Sequence, residues 1–255
     1  MRSVVLARGS SPRSGKRATV TRLISMPVVK NRLLEGLPRK DRERLLKRCE
    51  RVEINLGEVL SEPERPLRYV FFPTSGFISL ITPVNGRASL EVGLVGSEGM
   101  LGSSLVLGVR VAPQRALVQG PGSAWRLKTA PFCNELEQSP PLQRALNRYV
   151  YVTLCQVALT AVCTRFHVVE ARLARWLLMT GDRAHSDRFF ITQDFMSYML
   201  GVRRVGVTAA AGVLRERKLI HYSRGQVIIL DRRGLNAAAC SCYAEAKNAY
   251  KRILG

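Results

Sequence analysis

Residues 192–230 decide the fold of this chain, and their sequence is TQDFMSYMLGVRRVGVTAAAGVLRERKLIHYSRGQVIIL. Counted from Gln193, Ser197 is a small residue, Gly201 occupies the ninth place, and apolar residues fall at Met196, Leu200, Val202, Val207 and Ala210. The small residue lets a second helix cross close to the first, and the glycine accepts the positive φ of a tight turn. This spacing predicts a helix-turn-helix.

The stretch that follows predicts a wing. Leu214 and Leu219 close the second helix, and β-rich runs then cover Ile220–Tyr222 and Val227–Leu230. Between the two runs, Ser223-Arg224-Gly225 has the residue types of a hairpin turn. A helix-turn-helix followed by such a two-stranded hairpin is a winged helix-turn-helix, which we expect within residues 171–255.

The second helix of this motif has an N-terminal end suited to a DNA major groove. Its predicted inward residues are Val207, Ala210, Ala211 and Leu214. The candidate DNA-binding residues are therefore Arg203, Arg204, Val205 and Thr208 at the exposed end, Thr192 at the start of the first helix, and Arg224 at the wing tip. An arginine can bind guanine O6 and N7 together, but a phosphate contact or a solvated face stays open for each arginine.

The charge of the chain points to a polyanionic partner. Its 255 residues include 40 Lys plus Arg and 19 Asp plus Glu, which leaves a net charge of +21. Nucleic acid or an acidic membrane surface would neutralise this charge. The longest uncharged run, residues 149–164, is shorter than the ~20 apolar residues that a membrane span needs, so we expect no transmembrane helix.

The region before the helix-turn-helix divides into three parts. Residues 1–25 are basic and are expected to form a flexible arm, although a transit peptide or a start codon placed too far upstream is open. Residues 26–139 combine a short amphipathic segment, interrupted at Pro38, with β-rich runs separated by glycines, which predicts a small antiparallel β-roll. Residues 140–170 return to a helical period. An all-β domain without a ligand also fits the roll.

The helix predicted over residues 140–170 has an apolar or uncharged surface on nearly every face. The residues spaced by three and four are Leu142, Leu146, Tyr149, Thr153, Gln156, Thr160, Cys163 and His167. A roll packed on one side would leave apolar surface in water, so we expect a dimer seam that includes Leu146 and Tyr149. A helix buried between two domains of one chain is the alternative.

Further motifs accompany this order of elements. They are Gly57-Glu58-Val59-Leu60, Tyr69-Val70-Phe71-Phe72-Pro73 with Gly76, Glu98-Gly99-Met100-Leu101-Gly102, and Ile191-Thr192 through Gly201-Val202-Arg203-Arg204. With them, residues 26 to about 243 resemble the Crp/Fnr superfamily of bacterial transcription regulators. The resemblance implies an α+β chain with a cyclic-nucleotide-binding-like roll, a long dimerisation helix and a C-terminal winged helix-turn-helix. Arg204 matches a family arginine that contacts DNA.

Departures from the family limit what the resemblance implies. Members that bind cyclic AMP have a Gly-Glu pair, whose acid holds the ribose, and an Arg-Ser pair for the phosphate. Here the candidate ligand-binding residues are Gly102 followed by Ser103, and Arg115 followed by Ala116. A missing polar partner in a buried site costs ~1 to 3 kcal/mol, so we expect no cyclic AMP binding. Arg115 is either an anion contact or a structural arginine.

The cysteines do not form a recognisable cofactor motif. Iron-sulfur members need clustered N-terminal cysteines, and this chain has only Cys49 before Cys133. The pair Cys240-x-Cys242 would need Cys163 or His167 to complete a zinc site, so packing or free thiols are the favoured interpretation and no metal is expected. No arrangement of side chains typical of catalysis is present, and we expect a non-enzyme without cofactors.

The sequence thus predicts a cytoplasmic homodimer that regulates transcription by binding an inverted repeat in double-stranded DNA. Further candidate partners are RNA polymerase and an unidentified small-molecule effector, and no membrane is expected. Two alternatives remain: a regulator that responds to a cyclic nucleotide or another ligand through a divergent pocket, and a non-specific nucleic-acid-binding protein that uses the charge of +21 alone. A nucleotide-hydrolysing sensor would need an activity that no residue cluster explains.

Overall fold

The structure of the chain is a computed structural model that describes residues 31–84 and 89–255. The predicted basic arm, residues 1–25, lies outside the described residues. So do the first residues of the predicted amphipathic segment and residues 85–88, which include Gly86, one of the glycines that separate the predicted β-rich runs. The mixture of helices and antiparallel sheets confirms the predicted α+β class. The predicted domain limits stay predictions.

The N-terminal part is the predicted antiparallel roll. Its strands are β1 (Glu50–Ile54), β2 (Val59–Ser61), β3 (Tyr69–Pro73), β4 (Phe77–Pro83), β5 (Ser89–Val95), β6 (Arg115–Gly120) and β7 (Gly122–Lys128). One sheet has the order β2-β6-β4-β5 and the other β1-β7-β3. Ile54, Phe71 and Val118 come from both sheets and share one buried cluster, so a core lies between the sheets. Strand β2 is three residues long and pairs irregularly with β6.

Two short helices precede the roll, α1 (Arg32–Glu35) and α2 (Arg39–Leu46), and a third follows it, α3 (Thr129–Gln138). Pro38 stands at the N-cap of α2, as the predicted interruption requires. The apolar residues of α1 and α2 pack in one cluster with Phe72 and Phe132. The described part of the predicted amphipathic segment is therefore a helical cap on the roll.

The long helix, α4, covers Pro140–Phe166. Ser139 caps its N-terminus by accepting a hydrogen bond from Leu142 N, and the prolines at 140 and 141 lack the N–H groups that a first helical turn leaves unpaired. The prediction that Leu146 and Tyr149 lie in a dimer seam is wrong. Both side chains are buried in the roll's own core, and the Tyr149 hydroxyl donates to Met100 O at 3.1 Å.

The opposite face of α4 is the exposed one. It presents the apolar or small residues Tyr151, Leu154, Val157, Ala158, Ala161 and Val162. By length and composition, α4 is long and apolar enough to cross a membrane, and 28% of its most apolar 18-residue stretch is buried inside the chain. The sequence analysis had predicted no transmembrane helix. A single helix of this kind is weak evidence for a membrane span, because the core helix of a soluble protein can have the same length and composition. The sequence pattern could not tell the two faces apart, because both are apolar and the roll covers one of them.

The C-terminal part forms the predicted helix-turn-helix. Its helices are α5 (Val169–Ala184), α6 (Gln193–Leu200), α7 (Arg204–Glu216), α8 (Arg232–Ala238) and α9 (Cys242–Leu254), and its strands are β8 (Arg188–Phe190), β9 (Ile220–Ser223) and β10 (Gln226–Ile229). The wing is a three-stranded antiparallel sheet in the order β8-β10-β9, so the prediction of two strands was incomplete. Helix α9 turns back onto α4, where Tyr250 and Leu254 pack against the core shared by the roll and α4.

The roll and the helix-turn-helix share a continuous core. Phe77, Ile81 and Leu94 of the roll belong to the same buried cluster as the residues of α5, α6 and α7. Buried polar contacts accompany this packing. Trp176 Nε1 donates to Glu91 Oε1 at 2.9 Å, and Arg183 Nε lies 2.8 Å from Glu98 Oε1. The C-terminal part is therefore docked on the roll through β5 and the loop that follows it.

Glu91 gives this docked arrangement a pH dependence. Burial raises the pKa of its carboxyl group to about 7, against the opposing effects of hydrogen bonds from Ser79 and Trp176 and of the charges on Arg183 and Arg175. Because the pKa is about 4.5 when the chain is unfolded, the folded state binds more protons between these two values. The resulting stability is present below pH 4.5 and is lost as the pH rises through 7.

We predict that Glu91→Gln removes this dependence. Between pH 5 and pH 8 the free energy of unfolding of the wild type should fall by on the order of 2 kcal/mol relative to that of Glu91→Gln. Urea denaturation at several pH values measures the difference. Glu53→Gln, at an exposed position on β1, is the matched control and should follow the wild type. Parallel pH profiles for the wild type and Glu91→Gln would contradict the prediction.

Candidate nucleic-acid interface

The turn between α6 and α7 has the geometry that the sequence predicted. Thr192 caps α6 by accepting a hydrogen bond from Phe195 N at 3.2 Å. Gly201 ends α6 with φ of 61°, in the left-handed region. A Cβ atom at Gly201 would lie 3.2 Å from Ser89 O on the roll, so the glycine serves both the turn and the close approach of β5.

Helix α7 presents two faces with different roles. The predicted inward residues, Val207, Ala210, Ala211 and Leu214, are all buried. The candidate residues Arg203, Arg204, Val205 and Thr208 are all exposed, and Val205 is 73% exposed although it is apolar. The N-terminal end of α7 thus offers a basic surface with an apolar side chain in it, which is a combination that can meet base edges and a thymine methyl group.

Contacts between α6 and α7 orient two of these side chains. Arg204 Nε lies 3.4 Å from Asp194 Oδ1, and Thr208 Oγ1 donates to Gln193 Oε1 at 2.9 Å. The Arg204–Asp194 pair is largely exposed, so it contributes little stability. The contact places the carboxylate of Asp194 nearest to Nε of Arg204. Gln193 and Asp194 were not predicted as site residues, because only the N-cap Thr192 was considered on the first helix.

The wing places Arg224 at its tip. Ser223 pairs with Gln226, so Arg224 and Gly225 form a two-residue turn with φ of 48° and 84°. The positive φ favours glycine at 225, and a Cβ atom there would lie 2.6 Å from the ring of Phe190 on β8, which would have to move aside. Phe190 is itself 63% exposed beside this turn. It was missed because a strand of three residues gives no periodic signal.

Comparison with known proteins agrees with this geometry. The sequence of residues 171–238 matches the family model described as the Crp-like helix-turn-helix domain. The chain carries a Crp-like helix-turn-helix domain. The comparison with curated proteins finds no match.

Similar solved structures cover most of the chain. A transcriptional regulator assigned to the crp/fnr family from Eubacterium rectale is 15% identical, with a TM-score of 0.64 over 81% of this chain and 96% of its own. FixK2 from Bradyrhizobium japonicum is 14% identical, with a TM-score of 0.64 over 75% and 98%. The c-di-GMP responsive global regulator CLP from Xanthomonas campestris is 16% identical, with a TM-score of 0.62 over 74% and 98%. The chain has the Crp/Fnr fold, which confirms the predicted resemblance.

The candidate ligand residues of the roll lie in two places along the chain. Gly102, with φ of 99°, precedes a short 3-10 helix that begins at Ser103, whereas Arg115 and Ala116 begin β6. Ala116 is fully buried in the core of the roll. Arg115 Nε lies 2.9 Å from Glu62 Oε2, and the pKa of Arg115 is raised, chiefly by this hydrogen bond. An anion at Arg115 would have to compete with Glu62.

A cluster of thiols lies where the end of α4 meets the start of α9. Cys163 near the end of α4 is 3.5 Å from Cys240, and Cys242 is 3.6 Å from His167 Nδ1. The pKa of Cys163 is lowered to about 5, chiefly by the hydrogen bond with Cys240, and further by His167 and by the charges of Arg175 and Arg172, although burial opposes the shift. The structure therefore brings together Cys163, His167, Cys240 and Cys242. The sequence had linked these residues only through a possible zinc site, which was not the favoured interpretation.

We predict that the turn glycine of the Crp-like domain is required for its stability. Gly201→Ala should lower the free energy of unfolding by about 1 to 2 kcal/mol, because an L-residue is strained at this φ. Gly212→Ala, in the interior of α7 with open space at the Cβ position, should raise it by about 0.5 to 1 kcal/mol. Chemical denaturation measures both. Two equal shifts of the same sign would contradict the assignment of Gly201 to a strained turn.

Proposed function

We propose that this chain is a transcription regulator that acts as a homodimer and recognises an inverted repeat in double-stranded DNA. The observation that carries the proposal is the exposed, basic N-terminal end of α7, which lies within a Crp-like helix-turn-helix domain. A net charge of +21 supplies the electrostatic attraction to DNA. The protein is proposed to act in the cytoplasm without catalysing a reaction, with RNA polymerase as a candidate partner.

The proposed base-reading residues lie on successive exposed positions of α7. Arg204 is the first candidate for a guanine, since it is exposed at the start of α7 and its contact with Asp194 is through Nε, so that its terminal nitrogens can serve as the two donors. Arg203 and Thr208 flank it, and Val205 offers an apolar contact to a thymine methyl group. Outside α7, Thr192 and Arg224 are proposed to contact phosphates, which would fix the orientation of the domain on the duplex without selecting a sequence.

The exposed face of α4 is the proposed dimer interface. Tyr151, Leu154, Ala158 and Ala161 follow spacings of three and four along this face, with Leu154 65% exposed. Apolar residues at such spacings pack between two helices, and the small residues at 158 and 161 allow close approach. This interface replaces the seam at Leu146 and Tyr149, which the roll itself covers.

The roll is the proposed sensor, with an effector other than cyclic AMP. Two observations support this choice. Ser103 stands where the family's ribose-binding acid would be, and Arg115 is already paired with Glu62. A signal in the roll would act by changing the relative populations of two arrangements of the dimer, each with its own separation between the two recognition helices.

A second candidate function is binding to nucleic acid without sequence preference. The observation that favours it is the charge of +21, which alone supports affinity for any polyanion. The two functions differ in the dependence of affinity on sequence. A regulator prefers its operator over scrambled DNA at the same salt concentration, whereas a non-specific binder does not.

We predict that Arg204→Ala weakens binding to the operator by about 1 to 3 kcal/mol and relaxes the preference at one base pair in each half-site. The operator is first selected from random duplex DNA, and affinities are then measured by mobility shift on the operator, a single half-site and scrambled DNA. Arg224→Ala should weaken binding to all three alike and make the salt dependence shallower.

Arg215→Ala is the matched control, because Arg215 is exposed in the last turn of the same helix, about three turns from Arg204. Its affinity for the operator should stay close to that of the wild type. If the wild type binds the operator, the half-site and the scrambled DNA equally, the non-specific alternative is correct.

We predict that Leu154→Glu converts the protein into a monomer, because it places facing charges in an apolar interface. Light scattering coupled to gel filtration measures the change. Leu56→Glu is the control, since Leu56 is also 65% exposed but lies on the roll. Leu146→Glu should instead destabilise the fold. A monomeric wild type at micromolar concentration, or an unchanged dimer of Leu154→Glu, would exclude α4 as the interface.

A further inference from the structure

Four metal-ligating side chains meet where α4 ends and α9 begins. Cys163 lies in the last turn of α4, His167 follows that helix, Cys240 precedes α9 and Cys242 is its first residue. One sulfur or nitrogen atom from each lies within 4.8 Å of all the others. The fold thus joins positions that are separated by more than seventy residues in the chain.

The spacing of these atoms fits one tetrahedral metal ion. Zinc binds thiolate sulfur at about 2.3 Å and imidazole nitrogen at about 2.0 Å, so a tetrahedral site places two sulfurs about 3.8 Å apart and a sulfur and a nitrogen about 3.5 Å apart. The corresponding distances here are 3.5 Å between Cys163 and Cys240, and 3.6 Å between Cys242 and His167.

The charges around the cluster also suit a metal with thiolate ligands. Arg172 and Arg175 are buried and line a small cavity together with Cys163. Arg172 donates to a neutral carbonyl, Leu200 O, and Arg175 Nε has no hydrogen-bond partner within residues 31–84 and 89–255. Buried cations need a compensating charge. Three thiolates and a neutral histidine around Zn²⁺ carry one net negative charge, which would compensate one of these two cations.

We infer that Cys163, His167, Cys240 and Cys242 form a mononuclear Cys3His zinc site. The site goes beyond the proposed DNA-binding function and does not depend on it. The four protein ligands would fill all four coordination positions of a tetrahedral zinc ion, and three of the four residues are buried. Such a site is structural rather than catalytic, because it has no open coordination position for a substrate.

The geometry disfavours two other uses of these residues. An iron-sulfur cluster spreads its ligands over two or more iron atoms, and ligands on different irons lie farther apart than the 4.8 Å within which all four ligand atoms lie here. A disulfide between Cys163 and Cys240 would require the sulfurs to approach from 3.5 Å to about 2.05 Å, and it would leave His167 and Cys242 without a role.

A metal at this place would fix a junction of the fold. Cys163 and His167 belong to the end of the long helix, whereas Cys240 and Cys242 belong to the link between α8 and α9. The link also contacts α5 through the hydrogen bond from Cys240 N to Ala171 O, at 3.4 Å, and Tyr243 at the start of α9 donates to Asp182 Oδ2 of α5 at 2.8 Å. Zinc would therefore hold α9 and the C-terminal domain at a set angle to α4, and its removal would loosen that connection.

The test measures the metal content of the full chain by inductively coupled plasma mass spectrometry. The protein is expressed with added zinc and purified under reducing conditions. We expect one zinc ion per chain in the wild type, and a loss of at least about tenfold in Cys163→Ser and Cys240→Ser. Cys155→Ser, on the same helix about two turns earlier and outside the cluster, should keep its zinc.

A second pair of variants separates loss of a ligand from loss of the fold. His167→Cys keeps four donors and should retain the metal, whereas His167→Ala should lose it, with circular dichroism reporting whether each variant is folded. Replacement of zinc by cobalt in the wild type should give the visible absorption of a tetrahedral thiolate site. A wild type without zinc, an iron-sulfur spectrum, or a chain lighter by two hydrogens from a Cys163–Cys240 disulfide would each overturn the inference.

Discussion

The carboxylate of Glu98 lies between the roll and the DNA-binding domain and pairs with Arg183 of α5, both largely buried. The backbone carbonyl of the same residue accepts a hydrogen bond from Tyr250 of α9. Loss of either charge would leave the other one buried without compensation, which is among the most destabilising changes a core can undergo. A movement in the loop after β5 must therefore displace α5 and α9, or break this pair.

The same loop, which follows β5, also positions helix α4 through contacts with Tyr149. A side chain at Gly99 would overlap the hydroxyl of Tyr149, so the glycine allows the loop to lie against the helix. With one face of α4 committed to the roll and to α9, only the opposite face is left for a second subunit. In the proposed dimer, each long helix then contacts the roll, the partner and the base of the DNA-binding domain, and it can transmit a displacement among all three.

The sequence predicted best where the signal is local. The turn glycine, the cap at Thr192 and the inward residues of α7 depend on neighbours within about twenty positions, and the structure has all of them as expected. The prediction of a dimer seam at Leu146 and Tyr149 was wrong because an apolar stripe on a helix can be covered equally well by the roll of the same chain or by a second copy. The thiol cluster depends on α9 turning back onto α4, which no periodicity encodes.

The Arg204–Asp194 pair has a consequence for selectivity. A chain with a net charge of +21 is expected to bind polyanions without sequence preference. In the proposed complex with DNA, Asp194 would place a negative charge beside Arg204, where it would repel a phosphate more strongly than the edge of a guanine, whose O6 and N7 are neutral acceptors. In that complex the acid would weaken a phosphate contact of Arg204 more than a base contact, which would favour sequence-specific over non-specific binding.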